Sequence, residues 1–337
     1  MYLVLFLIFV LVLLVSFTSP KWRPFNVVNT LELRGLLALF IVMSHVQVWI
    51  DTKGFTPPEF AKYAYQIRDS SVYVVAIFFF LSAYGILRSY QGKREAYLDH
   101  FLSKRSLRLF IPLLPLIIVF QIYQWYIGEF NIVQTLLALL HGGTKNLCPN
   151  TWFVIAIFYF YLVFYICAIL RLKTTHFLYV LLGAIFVLNF YAYYNQWGYH
   201  WYVSNLGLFS GAIVSIYEKK AISLLNNHAK RLTFITFIFL LFCSAVSIYI
   251  EPVRLLTCAI LPVIVYLLWR QINFTNCLLT YCGKYSYEIY IAHGVMIVLL
   301  GNMINPWLFI LLVVISTLVV SVLLNYFSAH ILSKKYS

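Results

Sequence analysis

LRGLLALFIVMSH, residues 33–45, is the stretch from which the fold of this chain is predicted. It predicts a hydrophobic helix that carries two ionisable side chains, Arg34 and His45. Eleven steps of about 100° end roughly 20° past three turns, so both side chains lie on one face of the helix. They lie about 16 Å apart along the axis, over half of the ~30 Å hydrocarbon core of a bilayer. Because ionisable residues in membrane helices usually face a protein interior or a watery cavity, we expect a polar line that enters the membrane from one side.

The composition places nearly all of the chain in a membrane. Of 337 residues, 63% are hydrophobic and only 10% are charged, whereas soluble domains carry about 25% charged residues. The net charge of +14 would suit nucleic acid only on the basic face of a soluble fold, so we expect no nucleic-acid partner. In a membrane protein, a basic excess more often reports topology.

The cysteines show no Cys-x-x-Cys pair or other metal spacing, and most lie in apolar runs. We therefore expect small core residues rather than disulfides or metal ligands, and no metal cofactor. They are Cys148, Cys167, Cys243, Cys258, Cys277 and Cys282.

Apolar runs long enough to span a bilayer predict an all-α, polytopic transmembrane helix bundle of about 11 spanning helices. The first run has no preceding Lys or Arg and only a poor cleavage site, so we expect a retained helix rather than a signal peptide. The run 130–141 is too short to span and is interpreted as a re-entrant or interfacial piece. The spanning runs cover 1–19, 32–50, 70–90, 108–127, 151–170, 177–194, 202–217, 232–250, 253–269, 286–304 and 306–330.

The distribution of basic residues predicts the orientation of these helices. If each predicted helix crosses the membrane, the connections between helices lie on alternate sides of it. One side then holds 19 of the 24 Lys and Arg residues. By the positive-inside rule that side is cytoplasmic, which predicts an outside N-terminus and a cytoplasmic C-terminus. Arg34 then starts from the cytoplasmic end of its helix, and His45 lies towards the outer half.

No connection is long enough for a separate soluble domain, so we expect one membrane domain over 31–330. Residues 1–30 would form an additional N-terminal transmembrane helix with its cytoplasmic connection, and 331–337 a cytoplasmic tail.

Three further stretches stand out: FFFLSAYG at 78–85, KRSLRLFIP at 104–112 and GKYSYEIYIAH at 283–293. Together with the Arg34/His45 helix, and in this order, they resemble the acyltransferase-3 family of integral membrane O-acyltransferases over residues 30–330. The family has a core of about ten helices, so the resemblance makes 1–19 an added helix.

The resemblance implies transfer of an acyl group, most often acetyl from acetyl-CoA, to a hydroxyl. The implied partners are acyl-CoA, a cell-surface glycan or its lipid-linked precursor, and the lipid bilayer, with the protein in the plasma (inner) membrane. The oligomeric state stays open.

The resemblance assigns catalysis to His45 and Arg34. A neutral imidazole can take the proton of a hydroxyl as it attacks a thioester. Arg34 would bind an anionic part of the donor or stabilise the oxyanion. The alternatives are a buried His45 bonded to a backbone carbonyl and an Arg34 that snorkels to the interface.

Arg105, Arg108 and Ser82 are the donor-binding candidates. Guanidinium groups suit the phosphates of coenzyme A, and the two arginines are three positions apart at a helix start. The alternative is that the basic connection only obeys the positive-inside rule, which is also our interpretation of its other cations, Arg88, Lys93 and Arg94.

Ser286, Tyr290 and His293 fall on one helical face, where they would line a donor or acceptor path or form a structural hydrogen-bond stripe. Glu288, an embedded carboxylate, would orient a histidine or pair with Lys284. Trp152 and Tyr287 complete this set of weaker candidates.

Two departures from the family pattern affect these expectations. Ala83 and Tyr84 stand where Gly-Phe is usual, and Ile157 stands where many members carry Glu.

The competing function is a transporter or flippase of glycan or lipid intermediates, which would not need the Arg34/His45 pair. A non-catalytic scaffold is a third interpretation.

Overall fold

The computed structural model describes residues 25–26, 28–56, 70–140, 147–225, 251–270, 276–303 and 305–336. Every regular element in these ranges is helical, which confirms the all-α class. Hydrocarbon cannot hydrogen-bond a polar backbone, and a helix satisfies that backbone internally. In chain order we number the helices of eight or more residues α1 Leu31–Thr52, α2 Ser71–Lys93, α3 Phe101–Tyr126, α4 Ile132–Leu140, α5 Trp152–Ile169, α6 Thr174–Tyr194, α7 Leu206–Leu225, α8 Glu251–Trp269, α9 Cys277–Lys284, α10 Ser286–Leu300 and α11 Pro306–Tyr336.

Seven helices in the described ranges are long and apolar enough to cross a membrane, namely α1, α2, α3, α5, α6, α8 and α11. The shorter apolar helix α10 and the helix α7 coincide with two further predicted runs. The predicted spans 1–19 and 232–250 lie outside the described residues. Helix α4 has nine residues, which is too short to span, as expected for the run 130–141.

The chain divides into two compact units. The first comprises Met1–Thr30, Asp69–Asp99 and Leu162–Thr275, and the second comprises Leu31–Arg68, His100–Tyr161 and Asn276–Ser337.

In the first unit, α7 packs closely on α2 through glycine. A Cβ atom on Gly207 would lie 2.1 Å from the carbonyl oxygen of Ala76, and one on Gly211 would lie 2.4 Å from that of Phe80. Small residues of this kind let helix backbones approach in a membrane, where apolar burial alone gives little association.

In the second unit, α1 crosses α9 at an equally close contact. A Cβ atom on Gly35 would lie 2.0 Å from the carbonyl oxygen of Leu279, and one on Gly283 would lie 1.8 Å from that of Leu31. Each helix therefore supplies one glycine to the crossing. Arg34 is adjacent to this crossing, so its backbone position is fixed by helix packing.

Candidate active site

Helix α1 runs without interruption from Leu31 to Thr52 and carries both predicted catalytic residues. The helical spacing expected from the sequence therefore applies between Arg34 and His45. Both side chains are half-buried.

His45 lies beside a second histidine, His293 of α10. Their ring centroids are 5.0 Å apart, with the rings at 69° to each other. The side chain of His293 is completely buried. The structure thus brings together two candidates that the sequence separates by most of the chain.

The two nitrogens of His293 both have partners within the protein. Nδ1 lies 3.2 Å from the carbonyl oxygen of Ile289, and Nε2 lies 2.9 Å from the side-chain Nδ2 of Asn150. Because a carbonyl only accepts, Nδ1 carries the proton and Nε2 accepts a hydrogen bond from the amide of Asn150. By contrast, His45 has no hydrogen-bond partner among the described residues. His45, His293 and Asn150 together are called the His45 cluster below.

Asn150 is a residue that the sequence analysis did not single out for a role. Its φ is +63°, a left-handed conformation that asparagine tolerates better than most residues. A Cβ atom on Gly294 would lie only 2.5 Å from Nδ2 of Asn150, so glycine after His293 makes room for the amide. The available sequence signals were the Pro149-Asn150 turn ahead of α5 and the His293-Gly294 pair.

A cationic group lies at the start of α1. Arg34 interacts electrostatically with Tyr161 and with Arg105. The guanidinium carbon of Arg105 lies 5.9 Å from the centroid of the Tyr161 ring and equally far from that of Phe101. Two guanidinium groups near one phenol ring create a positive potential that suits an anion.

The other predicted arginine, Arg108, is exposed on α3, whereas Arg105 is half-buried. Of the two arginines predicted to bind the donor, only Arg105 is therefore brought to Arg34. Among the described residues, Arg34 itself has no ion-pair partner.

The polar residues of α10 mostly have partners inside the second unit. The hydroxyl of Tyr287 donates to the carbonyl oxygen of Leu109 at 2.6 Å. Asn325 donates to Glu288 at 2.9 Å, and that amide rather than Lys284 is the partner of the carboxylate. The ring of Tyr290 is buried 5.7 Å from the ring of His293. Ser286 is half-buried at the first position of the helix.

Two further candidates, Ser82 and Trp152, lie within or at the start of packed helices. The hydroxyl of Ser82, on α2 in the first unit, donates to the carbonyl oxygen of Phe78 at 2.9 Å within its own helix. Trp152 is buried at the start of α5.

The first unit contains a second buried polar group, which we call the Glu218 cluster. The Oε1 atom of Glu218 accepts hydrogen bonds from Tyr84 at 2.8 Å and Tyr266 at 2.6 Å, and from Arg270. Arg88 lies 3.4 Å from Oε2. Tyr84, which departs from the family pattern, thus has a bonding partner that phenylalanine would lack. The signal available in the sequence was an acid at the head of an otherwise basic connection.

The cysteines are mostly core residues in the described ranges: Cys148, Cys167, Cys258 and Cys282 are buried and Cys277 is exposed. Burial raises the pKa of the Cys148 thiol to about 12, so it stays protonated at neutral pH and is a poor nucleophile. No group of three or more His, Cys, Asp or Glu residues is placed to hold a metal in the part of the chain that the structure describes.

One comparison with known proteins bears on this site. A family model described as an acyltransferase domain, the acyltransferase-3 model, matches residues 30–326. The matched range contains both units' polar clusters and confirms the resemblance drawn from the four sequence stretches. No curated protein and no solved structure matches the chain.

Proposed function

Because this chain belongs to the acyltransferase-3 family, whose model spans residues 30–326, we propose that it transfers an acetyl group from acetyl-CoA to a hydroxyl. The proposed acceptor is a sugar of a cell-surface glycan or of its lipid-linked precursor. Membrane acyltransfer follows from the family, and the donor, the acceptor and the roles of the residues below are the proposal.

The observation that supports it is the difference between the two histidines. Both nitrogens of His293 are occupied, whereas the described residues leave the imidazole of His45 available. His45 takes the proton of the acceptor hydroxyl as its oxygen attacks the thioester carbonyl carbon. The tetrahedral intermediate then collapses to the acetyl ester, the C–S bond breaks, and the leaving coenzyme A thiolate takes the proton from the His45 imidazolium, which restores the neutral imidazole.

Arg34 and Arg105 supply the positive charge that this reaction needs. Guanidinium groups bind phosphate oxygens of the donor in a forked geometry, and a fixed cation also stabilises an oxyanion. With Arg34 at the cytoplasmic end, α1 extends from the compartment of acetyl-CoA towards the side where glycans are presented.

The test uses the purified full chain in lipid vesicles, labelled acetyl-CoA and membranes that carry candidate glycans. We expect label on a glycan hydroxyl and a loss of about 10²–10⁴-fold in kcat/KM for His45→Ala. His176→Ala, which removes an exposed histidine of α6, is the matched control and should keep wild-type activity.

Two results would contradict the proposal. Full activity of an inserted His45→Ala variant would remove the general base. No label transfer by the wild type, together with a glycan-movement defect in cells that lack the protein, would favour a transporter.

A further inference from the structure

A cavity of about 710 Å³ opens at one end of the first unit, and the described residues that line it all belong to that unit. Its walls are formed by the end of α2 with the 3-10 helix Arg94–Tyr97 that follows it, the end of α5, the connection to α6, the start of α6 and one residue of α7. None of the candidate catalytic or donor-binding residues lines it.

The floor of this cavity is apolar. Leu87, Phe164, Cys167 and Ala168 line it and are buried. Phe164 also makes an edge-to-face contact with Phe177, at 6.3 Å between ring centroids. Such a floor suits an acyl chain or another apolar body rather than a free inorganic ion.

In the part of the chain that the structure describes, the rim of the cavity carries three cations, Lys93, Arg94 and Arg171, and one acid, Glu95. Arg171 pairs with Glu95 at 2.6 Å. Among the described residues this leaves Lys93 and Arg94 without a carboxylate partner. Arg94 has a φ of +49° and Arg171 a φ of +50°, so both hold a backbone conformation that residues with side chains seldom adopt.

We propose that this cavity binds an amphiphile through its phosphate group, with the phosphate at Lys93 and Arg94 and the apolar part on the floor around Phe164. Basic pockets between membrane helices favour anionic head groups, and guanidinium forks match phosphate oxygens. The positive-inside rule accounts for the basic charge of the connection after α2. It does not account for a cavity in which cations without a described carboxylate partner lie above an apolar floor. The phosphate belongs either to an anionic phospholipid or to a soluble phosphate ester that carries an apolar group, and the experiment separates these sources.

The test is native mass spectrometry of the purified full chain titrated with dioleoylphosphatidylglycerol or dioleoylphosphatidylcholine. The double variant Lys93→Gln/Arg94→Gln removes the two rim cations. Lys173→Gln/Lys219→Gln removes two exposed cations that do not line the cavity, and is the matched control. We expect the rim variant to bind phosphatidylglycerol about tenfold or more weakly than the wild type and the control. Binding of phosphatidylcholine should be equal in all three proteins.

Two additions keep the test decisive. Ala168→Phe, which narrows the floor without changing the charge, should also weaken phosphatidylglycerol binding, so the proposal stays testable if the rim variant does not fold. Adenosine 3′,5′-bisphosphate, added to the wild type, displaces one lipid if a soluble phosphate ester uses the same site and displaces none if the occupant is a lipid. Equal phosphatidylglycerol binding by all the variants, or no preference of the wild type over phosphatidylcholine, would overturn the proposal.

Discussion

The His45 cluster and the Glu218 cluster are both polar groups set among apolar helices, yet they differ in how their polar atoms are satisfied. Both carboxylate oxygens of Glu218 have partners, from two tyrosines and two arginines. His45 has no hydrogen-bond partner in the described part of the chain, although its neighbour His293 is fully bonded. The half-buried imidazole of His45 can therefore bind a ligand, whereas the carboxylate of Glu218 already has partners at both oxygens within the protein. The comparison suggests that the Glu218 cluster stabilises the protein and that the His45 cluster acts on a substrate.

Of the four variants considered next, Arg34→Ala should produce the largest effect, although Arg34 lies outside both clusters. Loss of this cation is expected to lower kcat/KM by about 10²–10³-fold, with little change in thermal stability, because Arg34 has no ion-pair partner among the described residues. Steady-state kinetics with labelled acetyl-CoA measures this. A loss confined to the KM for acetyl-CoA would assign Arg34 to phosphate binding, and a loss in kcat would assign it to the oxyanion. Unchanged kinetics would remove it from the site.

Glu218→Gln should act in the opposite way, on stability. It leaves Arg270, which is 7% exposed, without its carboxylate, and unpairing one member of a buried ion pair costs about 3–5 kcal/mol. Thermal unfolding in detergent should therefore begin at a clearly lower temperature. Glu95→Gln is the control, because its ion pair with Arg171 is exposed and such pairs contribute about 0–1 kcal/mol. Equal melting of the two variants would contradict the structural role of Glu218.

Asn150→Ala tests whether the His45 cluster works as a unit. Without the amide, Nε2 of His293 loses its donor, and an unsatisfied buried group costs about 1–3 kcal/mol. We expect kcat to fall about tenfold while the KM for acetyl-CoA is unchanged, because His45 then packs against a less firmly held ring. Asn195→Ala, which removes an exposed asparagine at the end of α6, is the control. Loss of stability with unchanged kcat would make Asn150 a purely structural residue.

Tyr84→Phe should give the smallest effect, because it restores the residue that is usual in the family. The variant loses the hydroxyl bonds to Glu218 and to the carbonyl oxygen of Phe25, at 2.8 and 3.3 Å. We expect a loss of about 1 kcal/mol in the free energy of unfolding and no change in activity. Tyr90→Phe removes a hydroxyl that bonds to no described residue and is the control. If Tyr84→Phe melts at the wild-type temperature, the hydroxyl adds nothing to the cluster.

Local sequence patterns predicted the helices and the placement of Arg34 and His45 well, because hydrophobic length and helical period are properties of neighbouring residues. They did not identify Asn150 or Glu218. The contact between Asn150 and His293 joins residues 143 positions apart, and that between Tyr84 and Glu218 joins residues 134 positions apart. The period of a helix relates only neighbouring residues, so it cannot predict contacts between residues this far apart in the sequence.

The motif around Arg105 shows the same limit. The spacing to Arg108 placed both arginines near each other on α3, but only packing against Tyr161 distinguishes the half-buried residue from the exposed one. Contacts between side chains on different helices could therefore not be predicted from the sequence.

The glycine contact between α1 and α9 has a consequence for engineering this protein towards new donors or acceptors. Any side chain at Gly35 or Gly283 meets the backbone of the opposite helix, so even alanine forces the crossing apart and displaces Arg34. For Gly85 on α2, by contrast, no other described part of the protein lies within 4 Å of the place that a Cβ would occupy, its own helix backbone aside. A mutant library aimed at altered specificity gains nothing from randomising the two crossing glycines, whereas Gly85 gives it room for variation.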